Sequence, residues 1–355
     1  MGLQASFFKK TFRFGFEART SRGRMNDKTS WFVKIWSDSN TEVIGVGECG
    51  PLPGLSIDAT PDFENELVKV IARIPRLEEP DDFLNERLAE IVPPQFPAIT
   101  FGIETALLDL INGGKRIIYN NSFIQGIPIP INGLVWMGDL EFMRRQINEK
   151  IRSGFHCIKL KIGGLEFDRE CELLAYIRRE FGKDAIQIRL DANGAFSADE
   201  AMRKLNVLSE FDIHSIEQPI APGLAEMERL CQHSPIPIAL DEELIGKLTR
   251  ENKLALLRRL KPGFIVLKPM LHGGLSGCRE WILLAEQLKV SWWITSALES
   301  SIGLNAICQF TANYFVSLPQ GLGTGEIYEN NIASPLAVSG GKISYDLHGT
   351  WGLLD

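Results

Sequence analysis

The chain has 355 residues, 45% of them hydrophobic and 23% charged, with a formal net charge of −7. These are the proportions of an ordinary globular protein. The acidic balance and the lack of any basic block argue against nucleic acid as a partner, and no apolar run approaches the roughly 20 residues of a membrane-crossing helix, so no membrane partner is expected.

The start, "MGLQASFFKK", lacks the basic, apolar and small-residue order of a signal peptide. Gly2 and Ser6 fit the loose myristoylation pattern, but a first β-strand explains the stretch better. The length exceeds one ordinary core and predicts about two domains, unless one is a barrel of roughly 250 residues. Strand-like "ASFFKKTFRF" and "TSWFVKIWS" flank a polar, glycine-containing segment, 17–29, expected to be a loop, and "EVIGVGECGPLPG" ends in a Gly/Pro turn. Residues 61–76, 80–92 and 98–113 read as helices, the last stopping at Gly113-Gly114. Strands followed by helices predict an α+β unit over 1–118.

From "IPIPINGLVWM" the pattern changes. Short apolar strands are expected at 129–137, 157–163, 186–191, 213–217, 236–241, 263–268 and 291–296, with a weaker one near 320–325. Helical stretches such as "FDRECELLAYIRREFG" and "SADEAMRKLNVLSEF" separate them, the alternation of parallel βα units. Eight strands in about 200 residues suit an α/β barrel over 119–325 better than an open sheet. The six cysteines (Cys49, Cys157, Cys171, Cys231, Cys278 and Cys308) are scattered with no CxxC. They read as free thiols in a reducing compartment, so a cytoplasmic protein is expected.

Five successive strands end in an ionisable residue: Lys161 in "KLKIG", Asp191 in "IRLDANG", Glu217 in "SIEQP", Asp241 in "IALDEE" and Lys268 in "IVLKP". Each follows the last by 24 to 30 residues, one βα unit. In a barrel these ends meet at one mouth, where barrel enzymes keep their active sites. A single acid after a strand is usually a helix cap; capping alone does not explain five in a row. Three converging carboxylates repel one another unless a cation joins them. Oxygen donors without paired histidines point to Mg²⁺ in preference to zinc, and donor type does not separate Mg²⁺ from Mn²⁺. His272, beside Gly273-Gly274, is either a mouth residue or an ordinary loop residue.

Lys159 and Lys161 alternate with apolar residues in "CIKLKIGG", so both project to one side of their strand. Facing the barrel interior, near a second ammonium and a divalent ion, they are expected to be depressed towards the neutral amine, as a general base near neutral pH requires. Lys268 approaches the same space from the opposite side. Two lysines across such a site suit removal of a proton next to a carboxylate.

At these residues the chain resembles the enolase superfamily, in its lysine-base branch with the muconate lactonising enzymes. The resemblance covers nearly the whole length and implies a (β/α)7β TIM-like barrel under an N-terminal α+β capping domain, with a C-terminal segment, 326–355, returning to the cap. It implies Lys161 of "KLK" as the base, Lys268 as the cation on the opposite face, and Asp191, Glu217 and Asp241 as Mg²⁺ ligands. Glu242 and Asn193 match residues that support those ligands. Within the branch, "GECGPLPGLS", "FGIETALLDL", "LKPMLHGGLSG" and "SALESSIGL" are similar to the o-succinylbenzoate synthases, which dehydrate a succinyl-hydroxy-cyclohexadiene carboxylate in menaquinone biosynthesis. That likeness makes 17–29 a mobile capping loop whose Arg24 and Met25 close over the substrate, a plain exposed loop being the other reading. It places Ser296, Glu299 and Ser300 at the substrate's succinyl or carboxylate end, against ordinary barrel-loop roles.

Rival activities share the five charged residues. "SALESS" lacks the D-x-D pair of dipeptide epimerases, no lactone-forming site of a muconate cycloisomerase is recognisable, and N-succinylamino acid racemase is the near competitor. A non-catalytic binding protein on an inherited barrel would be expected to lack one of the five, and none is missing. Monomer and homodimer both stay open.

Overall fold

The computed structural model describes residues 2–20, 23–76 and 88–354. Strands β1 (Leu3–Thr20), β2 (Gly23–Ser37) and β3 (Asn40–Cys49) form an antiparallel sheet in chain order. Of the segment expected to be a loop, 17–29, residues 21–22 lie outside the described residues, and the rest is instead the paired outer ends of β1 and β2. Ala18 lies opposite Met25 and Thr20 opposite Gly23, beyond a register shift between Arg13 and Ala18. Polar composition misled here because a hairpin's outer end needs only backbone partners, not a buried face.

Helix α1 (Phe63–Arg73) runs into a 3₁₀ turn, Ile74–Arg76. Of the helix expected over 80–92, residues 77–87 lie outside the described residues, and the rest contains the single turn α2 (Leu88–Ile91). Helix α3 (Pro97–Ile111) lies on β3 and is buried on nearly every side. Glycines allow this approach: a Cβ on Gly47 would stand 1.9 Å from the Gly102 carbonyl oxygen, and one on Gly102 would stand 2.2 Å from Cys49 Sγ.

After the short β4 (Ile129–Pro130), strands and helices alternate: β5 (Gly133–Val135), α4 (Leu140–Arg152), β6 (Cys157–Lys161), α5 (Phe167–Glu180), β7 (Gln187–Asp191), α6 (Ala198–Ser209), β8 (Ile213–Glu217), α7 (Glu226–His233) and β9 (Ile238–Leu240). The series continues with α8 (Arg250–Leu260), β10 (Phe264–Leu267), α9 (Gly274–Gln287), β11 (Ser291–Ile294) and α10 (Ser301–Thr311). Strands β5 to β11 form one parallel sheet in chain order. Residues 320–321 bridge its two edges: Gly321 N–H donates to the Ile294 carbonyl (2.8 Å) and Asn132 N–H to the Gln320 carbonyl (2.9 Å). The eighth position expected near 320–325 is thus filled by bridges rather than by a full strand. Helices start where the chain supplies caps, Asp139 on α4, Thr249 on α8 and Ser300 on α10.

A final hairpin, β12 (Leu336–Ser339) and β13 (Lys342–Tyr345), pairs with β4. Just before it, Gly15 N–H donates to the Ile327 carbonyl and Glu329 N–H to the Arg13 carbonyl, both at 2.9 Å, so this segment runs beside β1. Phe12, Phe14 and Phe32 of the N-terminal sheet cluster with Trp136, Leu298, Ile302 and Tyr328, an apolar seam between sheet and barrel. Among the described residues no helix is long and apolar enough to cross a membrane.

Candidate active site

The register of the parallel sheet gathers the charged residues. Lys161 is level with Asp191, and Asp191 with Glu217, while Asp241 and Lys268 directly follow β9 and β10. The apolar Ile158 and Leu160 alternate with the two lysines of β6, so the lysines share the barrel's inner side with Asp191. All six charged side chains are buried.

Lys159 Nζ donates to Glu217 Oε2 (2.7 Å) and pairs with Asp191 Oδ2 (2.9 Å). Lys161 Nζ donates to Asp191 Oδ2 (3.0 Å) and Asn193 Oδ1 (2.8 Å). Asn193 Nδ2 in turn donates to Glu242 Oε1 (3.1 Å), and the Asn193 backbone N–H to Asp191 Oδ1 (3.1 Å). Asn193 makes these bonds from a left-handed backbone conformation, φ 45°, which asparagine tolerates better than most residues. Lys268 pairs with Asp241, and its backbone N–H donates to His272 Nδ1 (3.0 Å). His272 is buried behind Lys268 rather than lining the cavity, and burial lowers its pKa to about 3.

Burial alone would push the Lys159 amine down, yet Asp191 and Glu217 outweigh it and hold Lys159 above the ordinary lysine range. Lys268 moves the same way, burial being outweighed by Asp241. For Lys159 the depression expected from the sequence is reversed, because its ammonium rests directly on two carboxylates. Against the burial that opposes it, Lys159 and then Lys161 hold Asp191 below the usual carboxylate range. Burial followed by the Asp191 charge pushes Glu217 up.

Among the described residues no three His, Cys, Asp or Glu side chains converge tightly enough to hold a metal ion as they stand; the lysines occupy the carboxylates. The donor chemistry nonetheless fits a hard divalent cation. Asp191, Glu217 and Asp241 offer only oxygen, and Glu217 Oε1 and Asp241 Oδ1 are buried with no hydrogen-bond partner.

A cavity of about 490 Å³ opens above this cluster, within the range of small-molecule sites. Lys159, Lys161, Asp191, Asn193 and Lys268 reach it, and Glu217, Asp241 and Glu242 lie outside its lining. Arg24 and Met25 line it from the β1–β2 hairpin, and Ser296 lines it from the end of β11. Glu299 and Ser300 do not: the Glu299 carboxylate accepts from Ser296 Oγ (2.5 Å) and Ala297 N–H (2.8 Å), and Ser300 Oγ donates to Glu48 (2.6 Å) while capping α10. Sequence reasoning passed over Asn132, Leu134 and Trp136 after β4, the Leu52–Leu55 turn and Thr324, all of which line the cavity. The strand end "INGLVWM" and the turn "GECGPLPGLS" marked two of these places without marking residues.

The "Enolase C-terminal domain-like" family model matches residues 142–349. The o-succinylbenzoate synthase of Desulfotalea psychrophila is 44% identical, over 96% of this chain and 99% of its own length. The chain belongs to the o-succinylbenzoate synthase family of the enolase superfamily. The crystal structure of MenC from Desulfotalea psychrophila superposes with a TM-score of 0.85 at 42% identity, covering 97% of this chain and all of that one. The L-Ala-D/L-Glu epimerase of Bacillus subtilis, 19% identical, shares the fold with a TM-score of 0.82 over 99% of this chain and 98% of that one. The same fold is thus shared with an epimerase.

Proposed function

We propose that the chain dehydrates 2-succinyl-6-hydroxy-2,4-cyclohexadiene-1-carboxylate to o-succinylbenzoate, a step of menaquinone biosynthesis, in the cytoplasm. Kinship over nearly the full length supports the reaction. The observation that carries the mechanism is that Lys161 and Lys268, four strands apart, both reach one cavity with Asp191 beside them.

Lys161 takes the proton alpha to the substrate carboxylate, and the electron pair of the broken C–H bond moves into the carboxylate as an enolate. The C–O bond to the ring hydroxyl then breaks, Lys161 returns the proton to the departing oxygen, and water leaves as the ring becomes aromatic. Asn193 aims Lys161 through Oδ1 and is itself steadied by Glu242. Lys268 stays protonated and faces the enolate charge from the other side. Asp191, Glu217 and Asp241 would hold Mg²⁺ or Mn²⁺, which supplies positive charge for the substrate carboxylate. Holding it requires Lys159 and Lys268 to yield carboxylate oxygens they now share. Arg24 at the rim and the Thr324 hydroxyl, whose oxygen is buried without a hydrogen-bond partner, suit the succinyl arm.

An ultraviolet assay of the purified protein with this substrate, with and without Mg²⁺, tests the reading. Metal-dependent formation of the aromatic product is expected. No product at any metal concentration overturns it, and α-carbon exchange of N-succinylamino acids in deuterated water would then favour a racemase.

A further inference from the structure

Lys28 has no part in the chemistry above, yet it is a lysine only 1% exposed. It lies on β2 opposite Phe12, three residues from Met25 at the cavity rim. Its ammonium donates to the carbonyl oxygens of Leu298 (2.9 Å) and Ala297 (3.3 Å). Gly50 leaves it room, since a Cβ there would stand 2.8 Å from Nζ. Lys28 does not line the cavity, but Ala297 and Leu298 do.

Those two residues hold an unusual shape. Leu298 has φ 63°, a left-handed conformation that is costly for a branched side chain. Such a conformation persists only when its surroundings over-determine it, and here they do. The Leu298 carbonyl accepts from Lys28 and from the Tyr328 hydroxyl (2.7 Å). Leu298 N–H donates to Ser296 Oγ (2.9 Å), and Ala297 N–H to Glu299 (2.8 Å). Glu48 and Glu299, both fully buried, offset the cost of burying the Lys28 charge.

We propose that Lys28 is a positioning residue: by gripping the Leu298 and Ala297 carbonyls it fixes the cavity wall at 297–298 to the hairpin that carries Arg24 and Met25, and so sets recognition of the substrate's non-reacting arm. The inference rests on reading the cavity as the substrate site. Lys28 touches no reacting atom, so its removal loosens substrate binding more than it slows bond breaking.

The test is steady-state kinetics of Lys28→Met, Tyr328→Phe and the double variant, alongside thermal unfolding. Lys28→Met is expected to raise KM at least tenfold with kcat within about threefold, and Tyr328→Phe to raise KM less, in the same direction. The two losses in kcat/KM should be less than multiplicative, because both donors serve one carbonyl. A purely structural role would lower Tm and the yield of active enzyme while leaving KM unchanged; unchanged KM in both single variants overturns the proposal. Should Lys28→Met fail to fold, Tyr328→Phe decides alone. A wild-type protein inactive with this substrate overturns the functional reading and the proposal together, whereas an active wild type with unmoved variants overturns only the proposal.

Discussion

Asp58 follows the Leu52–Leu55 turn that lines the cavity, and its Oδ2 accepts the Ala98 N–H at the start of α3 (2.8 Å). The side chain is 1% exposed, Oδ1 has no hydrogen-bond partner, and burial raises its pKa from 3.8 to about 7. A carboxyl that binds its proton more tightly when folded stabilises the protein fully below its unfolded pKa, and that contribution disappears as pH rises through the folded value. The shift corresponds to about 4 kcal/mol in all, most of which disappears between pH 5 and pH 8. Asp58→Asn keeps the shape and the acceptor for Ala98 but cannot ionise. Urea unfolding of both proteins at pH 5, 6, 7 and 8 isolates the effect. The wild type should lose roughly 3 kcal/mol relative to the variant across that range. Parallel profiles would refute the reasoning, since Asp58 would then titrate alike in the folded and unfolded chains.

Lys161→Ala should cut turnover by roughly 10²–10⁴-fold in the same ultraviolet assay while far-ultraviolet circular dichroism stays unchanged. Lys268→Arg keeps a cation opposite the base and should retain measurable dehydration, whereas a two-base racemase would lose racemisation. Asp191→Asn should weaken Mg²⁺ binding sharply by titration calorimetry, and undiminished affinity would remove it from the ligand set. Gly47→Ala drives a methyl into the Gly102 carbonyl 1.9 Å away and should cost about 3 kcal/mol or more in unfolding free energy; a loss below 0.5 kcal/mol would mean that α3 can slide on β3.

The barrel was legible because its signals are local. Each strand of the "KLKIG", "IRLDANG", "SIEQP" series is a short apolar run closed by a charge, and parallel pairing alone sets Lys161 level with Asp191 and Asp191 with Glu217. The walls of the cavity were less legible because they come from distant segments. Asn132 stands 192 positions before Thr324, and nothing in either neighbourhood marks the other. Glu299 and Ser300 were drawn towards the cavity by sequence proximity to Ser296, but the turn at Leu298 sends the Glu299 carboxylate back to Ser296 Oγ and leaves Ser300 capping α10. The strand ends 17–20 and 23–29 were mistaken for a loop because their polar composition carries no continuous buried stripe. A trace of one was present in β2, where Lys28, Ser30 and Phe32 share one side of the strand and all three are buried.

The direction of the lysine pKa shifts exposes a tension in the cluster. Lys159 and Lys268 are each held above the ordinary lysine range by the carboxylates they touch. A divalent cation needs the same oxygens, so cation and ammonium groups compete for one set of lone pairs. Glu217 Oε1 and Asp241 Oδ1, buried without hydrogen-bond partners, are where that competition has its least resistance. Lys161 stands apart, because its second bond goes to the neutral Asn193 amide rather than to a second carboxylate. Of the three lysines it is the one whose carboxylate bond is accompanied by a bond to a neutral side chain, which can hold its aim. On the proposed mechanism, a cation that displaced ammonium from the carboxylates would leave Lys161 held by Asn193 beside the cavity, as a base requires.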